Sequence, residues 1–207
     1  MKIIPTLTLI LTLIGGTAMA TEEIAHTVLK QDGDIEIRQY EDTVVAEVTV
    51  QATRREAPGR AFRALFNYIS GENEGAREIP MTTPVSQAAE GTEIPMTAPV
   101  SQRQSGENRW TIAFYMPNDM AYEETPAPEN EAITVRAVPG RTMAAIRFSG
   151  IASDANVAEH EEQLRDYLQT HDIPFTDEPL YAFYNSPMMP WFLRRNEVLF
   201  PVEWSSQ

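Results

Sequence analysis

The chain carries three histidines and no cysteine, so its supply of soft metal ligands and nucleophiles is small. His26 lies in a polar lead-in. His160 sits among Glu159, Glu161 and Glu162, the pattern of a solvated helix face, and His171 falls near a helix end, where a protonated imidazole suits the dipole. No two of them share metal-ligand spacing, which speaks against a structural zinc site. There is no G-x-S-x-G, no H-E-x-x-H and no phosphate-binding loop. No residue set specifies a catalytic centre.

The remaining candidates are apolar, soft and basic. Tyr184-Asn-Ser-Pro-Met-Met-Pro-Trp-Phe-Leu193 is a Pro- and Met-rich aromatic stretch ahead of Arg194-Arg-Asn-Glu197. It reads either as a lid packed over a barrel end or as the cover of a flat apolar ligand, to which Met and aromatic side chains adapt. Arg60 and Arg63, on a predicted helix, are either solvated or placed to meet ligand carboxylates.

The elements that must position these residues follow from hydrophobic period. Ile35 to Tyr40 and Val44 to Val50 alternate as strands, with Glu41-Asp42 as the turn of a hairpin. Glu56 to Ser70 has helical spacing, with Phe62, Leu65, Phe66 and Ile69 as one stripe, Pro58 in its first turn and Gly71 past its end. Trp110 to Met116 is a further strand. Ile133-Thr-Val-Arg136 then repeats Ile35-Glu-Ile-Arg38 at an offset of 98 residues (133 − 35), and Ala144, Ile146 and Phe148 fall on Ala46, Val48 and Val50. After this second hairpin, Ser153 or Asp154 caps a second helix running to about His171, with Val157, Leu164 and Leu168 buried. Tyr181 to Tyr184 and Val198 to Val202 close the pattern. Each half reads ββαββ, so the chain is an α+β domain with internal pseudo-twofold symmetry, its strands merged into one curved sheet or open barrel flanked by two helices.

One decapeptide occurs twice: Glu78-Ile-Pro-Met-Thr-Thr-Pro-Val-Ser-Gln87 returns as Glu93-Ile-Pro-Met-Thr-Ala-Pro-Val-Ser-Gln102. Its prolines lack an amide donor, which predicts two extended segments along a sheet edge or rim. Met81 and Met96 then serve either as core filler or as a pocket wall.

Composition bounds the function. The formal charge is −14, which argues against nucleic acid and against docking on anionic lipid. Met1-Lys2, the apolar run Ile3 to Ile14 and Ala18-Met19-Ala20 describe a secretory signal peptide over residues 1–20. With no cysteine there is neither a lipidation site of that kind nor a disulfide. The expected organisation is a signal peptide at 1–20, an extended lead-in at 21–34 and one domain at 35–204. The expected location is periplasmic or extracellular, with no stable membrane anchor after cleavage.

Taken together, Phe66-Asn-Tyr-Ile-Ser-Gly71, the paired Ile-Pro-Met-Thr-x-Pro-Val segments, Phe114-Tyr-Met-Pro117, Arg147-Phe-Ser-Gly150, Ser186-Pro-Met-Met-Pro190 and Arg194-Arg-Asn-Glu197 resemble the SOUL family of heme-binding proteins, from about Glu23 to Trp204. The resemblance implies a distorted barrel of two repeats, an architecture shared with gyrase-inhibitor-like effector-binding domains. It implies a non-enzymatic role: reversible binding of heme or a related tetrapyrrole by apolar contact and charge pairing. Carried onto this chain, the ligand-binding residues are Arg60, Phe62, Arg63, Phe66, Met188 and Met189. Where some members have a lysine between Met and Pro, this chain has Met189, which removes a propionate partner. The alternatives are a carrier or sensor of another apolar small molecule, or a hydrolase. The signal-peptide reading predicts that N-terminal sequencing of the exported protein begins at Thr21; intact Met1 in a membrane fraction would contradict it.

Overall fold

The computed structural model describes residues 22–75, 91–186 and 188–205. The signal-like segment and the first decapeptide, Glu78 to Gln87, lie outside the described residues. In chain order the elements are β1 (Glu22–Glu23), β2 (His26–Asp32), β3 (Ile35–Tyr40), β4 (Thr43–Gln51), α1 (Ala57–Ile69), β5 (Asn73–Glu74), β6 (Thr97–Gly106), β7 (Arg109–Tyr115), β8 (Ala127–Pro128), β9 (Ile133–Val138), β10 (Thr142–Phe148), α2 (Asp154–Thr170), β11 (Leu180–Phe183) and β12 (Asn196–Pro201).

The main sheet runs β2-β3-β10-β12-β11-β6-β7-β4-β9. From β3 to β9 this order is a palindrome under the repeat: β3 corresponds to β9, β10 to β4, β12 to β7 and β11 to β6. The pseudo-twofold axis therefore passes between β6 and β11. The sheet is a curled, open half-barrel with β2 and β9 at its ends, and both helices pack on one face.

The expected hairpins are not formed. β3 pairs with β10, and β4 pairs with β9, so each repeat gives its first strand to the second strand of the other. The reason lies at the two corners. Glu41-Asp42 and Pro139-Gly140 abut each other: Gly140 N donates to Asp42 Oδ1 at 2.7 Å, and Tyr40 N donates to Arg141 O at 3.0 Å. A Cβ at Gly140 would lie 2.5 Å from the Tyr40 carbonyl oxygen, so only glycine permits this approach.

The second decapeptide is not at an edge. β6 lies between β11 and β7, and its pairing with β7 shifts register between Thr97 and Ser101. That irregularity takes Pro99 out of the ladder, so the missing donor is tolerated in an interior strand. The lead-in also joins the sheet, with β2 antiparallel to β3 and β1 parallel to β6.

The core lies between the helices and the sheet. Trp110, Ile112 and Phe114 are buried on one side of β7, as their alternation requires. Val157, Leu164 and Leu168 of α2 are buried too, and Ser153 caps that helix, its Oγ accepting from Asn156 N at 3.2 Å. On α1 the buried side is Ala57, Ala61, Leu65, Tyr68 and Ile69. Phe62 and Phe66 are 42% and 44% exposed, so half of the predicted apolar stripe faces outward. Two alanines one turn apart, Ala57 and Ala61, let the helix sit close on β4 and β7, and Phe62 and Phe66, each one position past a buried residue (Ala61 and Leu65), flank the contact rather than fill it.

Leu65 is fully buried and Phe66 is not. Leu65→Ala should therefore destabilise the fold by about 2–5 kcal/mol, and Phe66→Ala by markedly less. Urea unfolding of both variants checks this; equal losses would mean that Phe66 is packed.

Candidate functional site

The helix face opens into a groove of about 310 Å³ at the seam of the two repeats. Its floor is Val100 and Gln102 of β6, Phe183 of β11 and Asn196 of β12. Pro58 and Phe62 of α1 form one wall, and Ala152, Asn185 and Arg194 lie opposite, with Arg54 and Arg55 from the β4–α1 turn also lining it. Three of the lining residues are arginines and none is acidic, although the whole chain is strongly negative.

Local chemistry fixes each part. Arg54 Nε donates to Asp154 Oδ1 at 2.9 Å and Nη2 to the Ala152 carbonyl at 3.1 Å, which ties the β4–α1 turn to the start of α2. Asn196 Nδ2 donates to Gly150 O at 3.1 Å, and Asn185 Oδ1 accepts from Arg195 N at 2.6 Å. Phe62 is steadied from below by Phe114, edge-on at 5.4 Å between ring centroids. It stacks on Phe66 at 5.8 Å, so the two make an exposed aromatic ridge.

The Met-rich loop stands beside this groove. Met188 is 93% exposed, and Met189, Trp191, Phe192 and Leu193 are exposed as well. Its backbone is nevertheless tied down: Gly150 N donates to Trp191 O at 3.1 Å, and Arg194 Nε donates to Met189 O at 2.8 Å. The loop thus holds apolar side chains in solvent without packing them.

Of the residues singled out from sequence, Phe62 lines the groove. Phe66 continues its aromatic ridge, and Met188 and Met189 belong to the neighbouring loop. Arg60 and Arg63 are exposed on α1 and are not among the lining residues. Arg60 donates to Gln51 O at 2.6 Å and faces Glu56 at 3.6 Å. The lining arginines, Arg54, Arg55 and Arg194, went unweighed because two of them sit in a turn outside any periodic pattern. The signal that could have found them is a basic pair immediately before a helix start. No histidine lines the groove. Each ring Nδ1 lies near a backbone carbonyl oxygen: Ile24 for His26, Asn156 for His160 and Tyr167 for His171. Among the described residues no cluster of His, Asp or Glu is placed to hold a metal.

The face away from the helices carries charge instead. Glu197 is fully buried and receives Arg38 bidentately, Nη1 at 2.7 Å and Nη2 at 3.0 Å. Arg195 reaches the same carboxylate at 2.9 Å and Tyr184 Oη donates to it at 2.8 Å. Burial alone pushes the Glu197 carboxyl up. The Arg38 hydrogen bonds and the Arg38 and Arg195 charges outweigh that and hold it below the ordinary 4.5. Burial pushes the Tyr40 phenol up to about 12, against the pull of the Arg38 charge. The cavity beside this cluster, between Tyr40, Tyr115, Tyr184 and Met143, measures about 50 Å³. Ligand pockets start at about 300 Å³, so it takes water rather than a ring system.

Comparison with known proteins bears on the family and the fold. The profile of the SOUL heme-binding protein family matches residues 21–201. Mouse heme-binding protein 1 is 29% identical over 180 residues, 85% of this chain and 88% of that protein. Human heme-binding protein 2 is 27% identical over 176 residues, 81% of each chain. Among solved structures, the EcmrR C-terminal domain superposes with a TM-score of 0.59 at 11% identity, over 82% of this chain and 96% of that one. A structure described as a hydrolase from Listeria innocua gives 0.55, also at 11%, over 84% and 94%. At that identity the two structures speak for the fold alone.

The Glu197 cluster makes a pH prediction. A carboxyl held below its unfolded value stabilises the fold above about pH 4.5, and that stability is lost as pH falls through the folded-state pKa. Urea midpoints should drop below about pH 4.5, and Glu197→Gln should lower the midpoint at neutral pH while flattening this acid limb. An unchanged acid limb in the variant would mean that other carboxyls carry it.

Proposed function

The chain belongs to the SOUL heme-binding family, and from that premise we propose that it holds heme or another tetrapyrrole reversibly in the groove between α1 and the 184–195 loop. The observation that carries this is a pair of exposed apolar surfaces on the two elements that flank one basic-lined groove. Phe62 and Phe66 stand exposed on α1, and Met188, Met189 and Trp191 on the loop that contributes Asn185 and Arg194 to the lining. A flat apolar ring removes both from water at about 25 cal/mol per Å² of apolar area covered. Its carboxylates meet Arg54, Arg55 and Arg194, with Arg60 and Arg63 further out on α1.

The reading is of a binding protein rather than an enzyme, in keeping with the names of the family and of its mouse and human relatives. Its signal-like N-terminus supports export to the periplasm or beyond. With no histidine in the groove, apolar contact and charge pairing supply the affinity, and iron ligation adds little.

Hemin titrated into the purified protein should give a saturable Soret shift. Iron-free protoporphyrin should bind within about tenfold of hemin, since losing a weak ligand costs on the order of 1.4 kcal/mol or less. Replacing Arg55 and Arg194 together by alanine should weaken both ligands by about three- to tenfold, because each exposed ion pair contributes little. Hemin binding a hundredfold tighter than the metal-free ring would show that iron ligation dominates. Absence of saturable binding would end the tetrapyrrole reading.

A further inference from the structure

The groove floor contains one polar group that the protein leaves unsatisfied. Gln102 is 2% exposed, ranks with the bulkiest fully buried side chains, and its Oε1 has no hydrogen-bond partner. It sits at the seam of the repeats, opposite Tyr181 on β11 and Ile112 on β7. Tyr181, across the pseudo-axis, satisfies its own polar atom by donating to Glu161 Oε2 at 2.8 Å. Gln102 has no such arrangement; it lines the groove beside Phe62, Val100 and Phe183, with its Oε1 screened from solvent while the groove is empty, so docking on the amide requires the side chain to turn toward the occupant. A buried acceptor without a donor carries its full desolvation penalty. A purely apolar occupant would leave that penalty in place, whereas an occupant bringing a donor to the floor removes it.

A closed porphyrin brings no donor there. Its nitrogens lie at the ring centre, and its edge carries methyl, vinyl and carboxylate groups. An open-chain tetrapyrrole ends in lactam rings, each with an N–H and a C=O on one edge. A primary amide has the complementary edge, so the two close a ring of two hydrogen bonds. The match survives exchange of the amide's oxygen and nitrogen, because the lactam can enter with either face up.

We propose that Gln102 sets the ligand preference of the groove, and that open-chain tetrapyrroles dock by a terminal lactam on this amide with their carboxylates at the arginines. The proposal rests on the tetrapyrrole reading above and goes beyond it in naming the ligand class and the selecting residue. The test is titration of hemin and of biliverdin into wild type and Gln102→Met, with thermal melting to establish that the variant folds. Wild type should bind biliverdin at least as tightly as hemin. The variant should lose about tenfold or more toward biliverdin, the worth of two hydrogen bonds, and change by less than about twofold toward hemin. A biliverdin with methylated lactam nitrogens should show the same loss on wild-type protein, a readout independent of any substitution. Equal losses for both ligands in the variant, as displacement of a floor water by either would give, overturn the proposal, as does unchanged binding of the methylated bilin. Saturable hemin binding without biliverdin binding overturns it and leaves the heme reading standing, whereas binding of neither overturns both.

Discussion

The pairing of β6 with β11 is the contact on which the rest of the molecule depends. Only four residue pairs make it, from Val100 with Phe183 to Arg103 with Leu180. It joins the two repeats across their pseudo-axis, and without it the ten-stranded sheet divides into halves. It also fixes what faces the helices there. Because side chains alternate along a strand, Val100, Gln102, Tyr181 and Phe183 turn to the helix side, while Ser101 and Ala182 turn away. The helices flank this seam rather than cover it, and the groove is the uncovered part.

The opposite face is closed by a different kind of force. Strand exchange puts β3 beside β10 and β12 beyond it, so Arg38 from the first repeat meets Glu197 from the second. Their charges leave water together, and the geometry is bidentate, with Arg195 and Tyr184 completing the carboxylate's contacts. Removing either Arg38 or Glu197 strands the other as a buried charge, typically at a cost of about 3–5 kcal/mol. Such a lock holds the corners in place but leaves little room within. The two faces therefore divide the work: the charged side fixes the curl of the sheet, and the helix side keeps the open surface that a ligand can use.

Much of this was legible in the sequence, and the exceptions have physical causes. The repeat offset was visible because both copies must bury the same alternating residues, as in Ile35-Glu-Ile-Arg38 and Ile133-Thr-Val-Arg136. Which strand each copy pairs with was not visible: period two records a buried face and says nothing about the neighbour. Pro99 argued for an edge strand by its missing donor, and a register irregularity, which needs no particular residue, answered that objection. Phe62 and Phe66 matched a core stripe in spacing, yet Ala57, Ala61 and Leu65 took the buried side, the two alanines allowing close helix–sheet packing that turns the phenylalanines outward. That misfit is informative, since apolar residues left outside a core are where a binding surface shows itself. Gln102 was the last letter of a repeated word, and only the completed sheet places it on the floor of a groove.

The proposed ligand site is on the helix face, over the seam, and not within the curl of the sheet. Paramagnetic hemin broadens the amide signals of residues near its iron, so titrating sub-stoichiometric hemin into ¹⁵N-labelled protein maps its position directly. A ligand in the groove should cause selective loss of signal at Phe62, Val100, Gln102, Phe183 and Asn196. Broadening centred instead on Tyr40, Met143, Tyr184 and Leu199 would put the ligand on the charged face and contradict it.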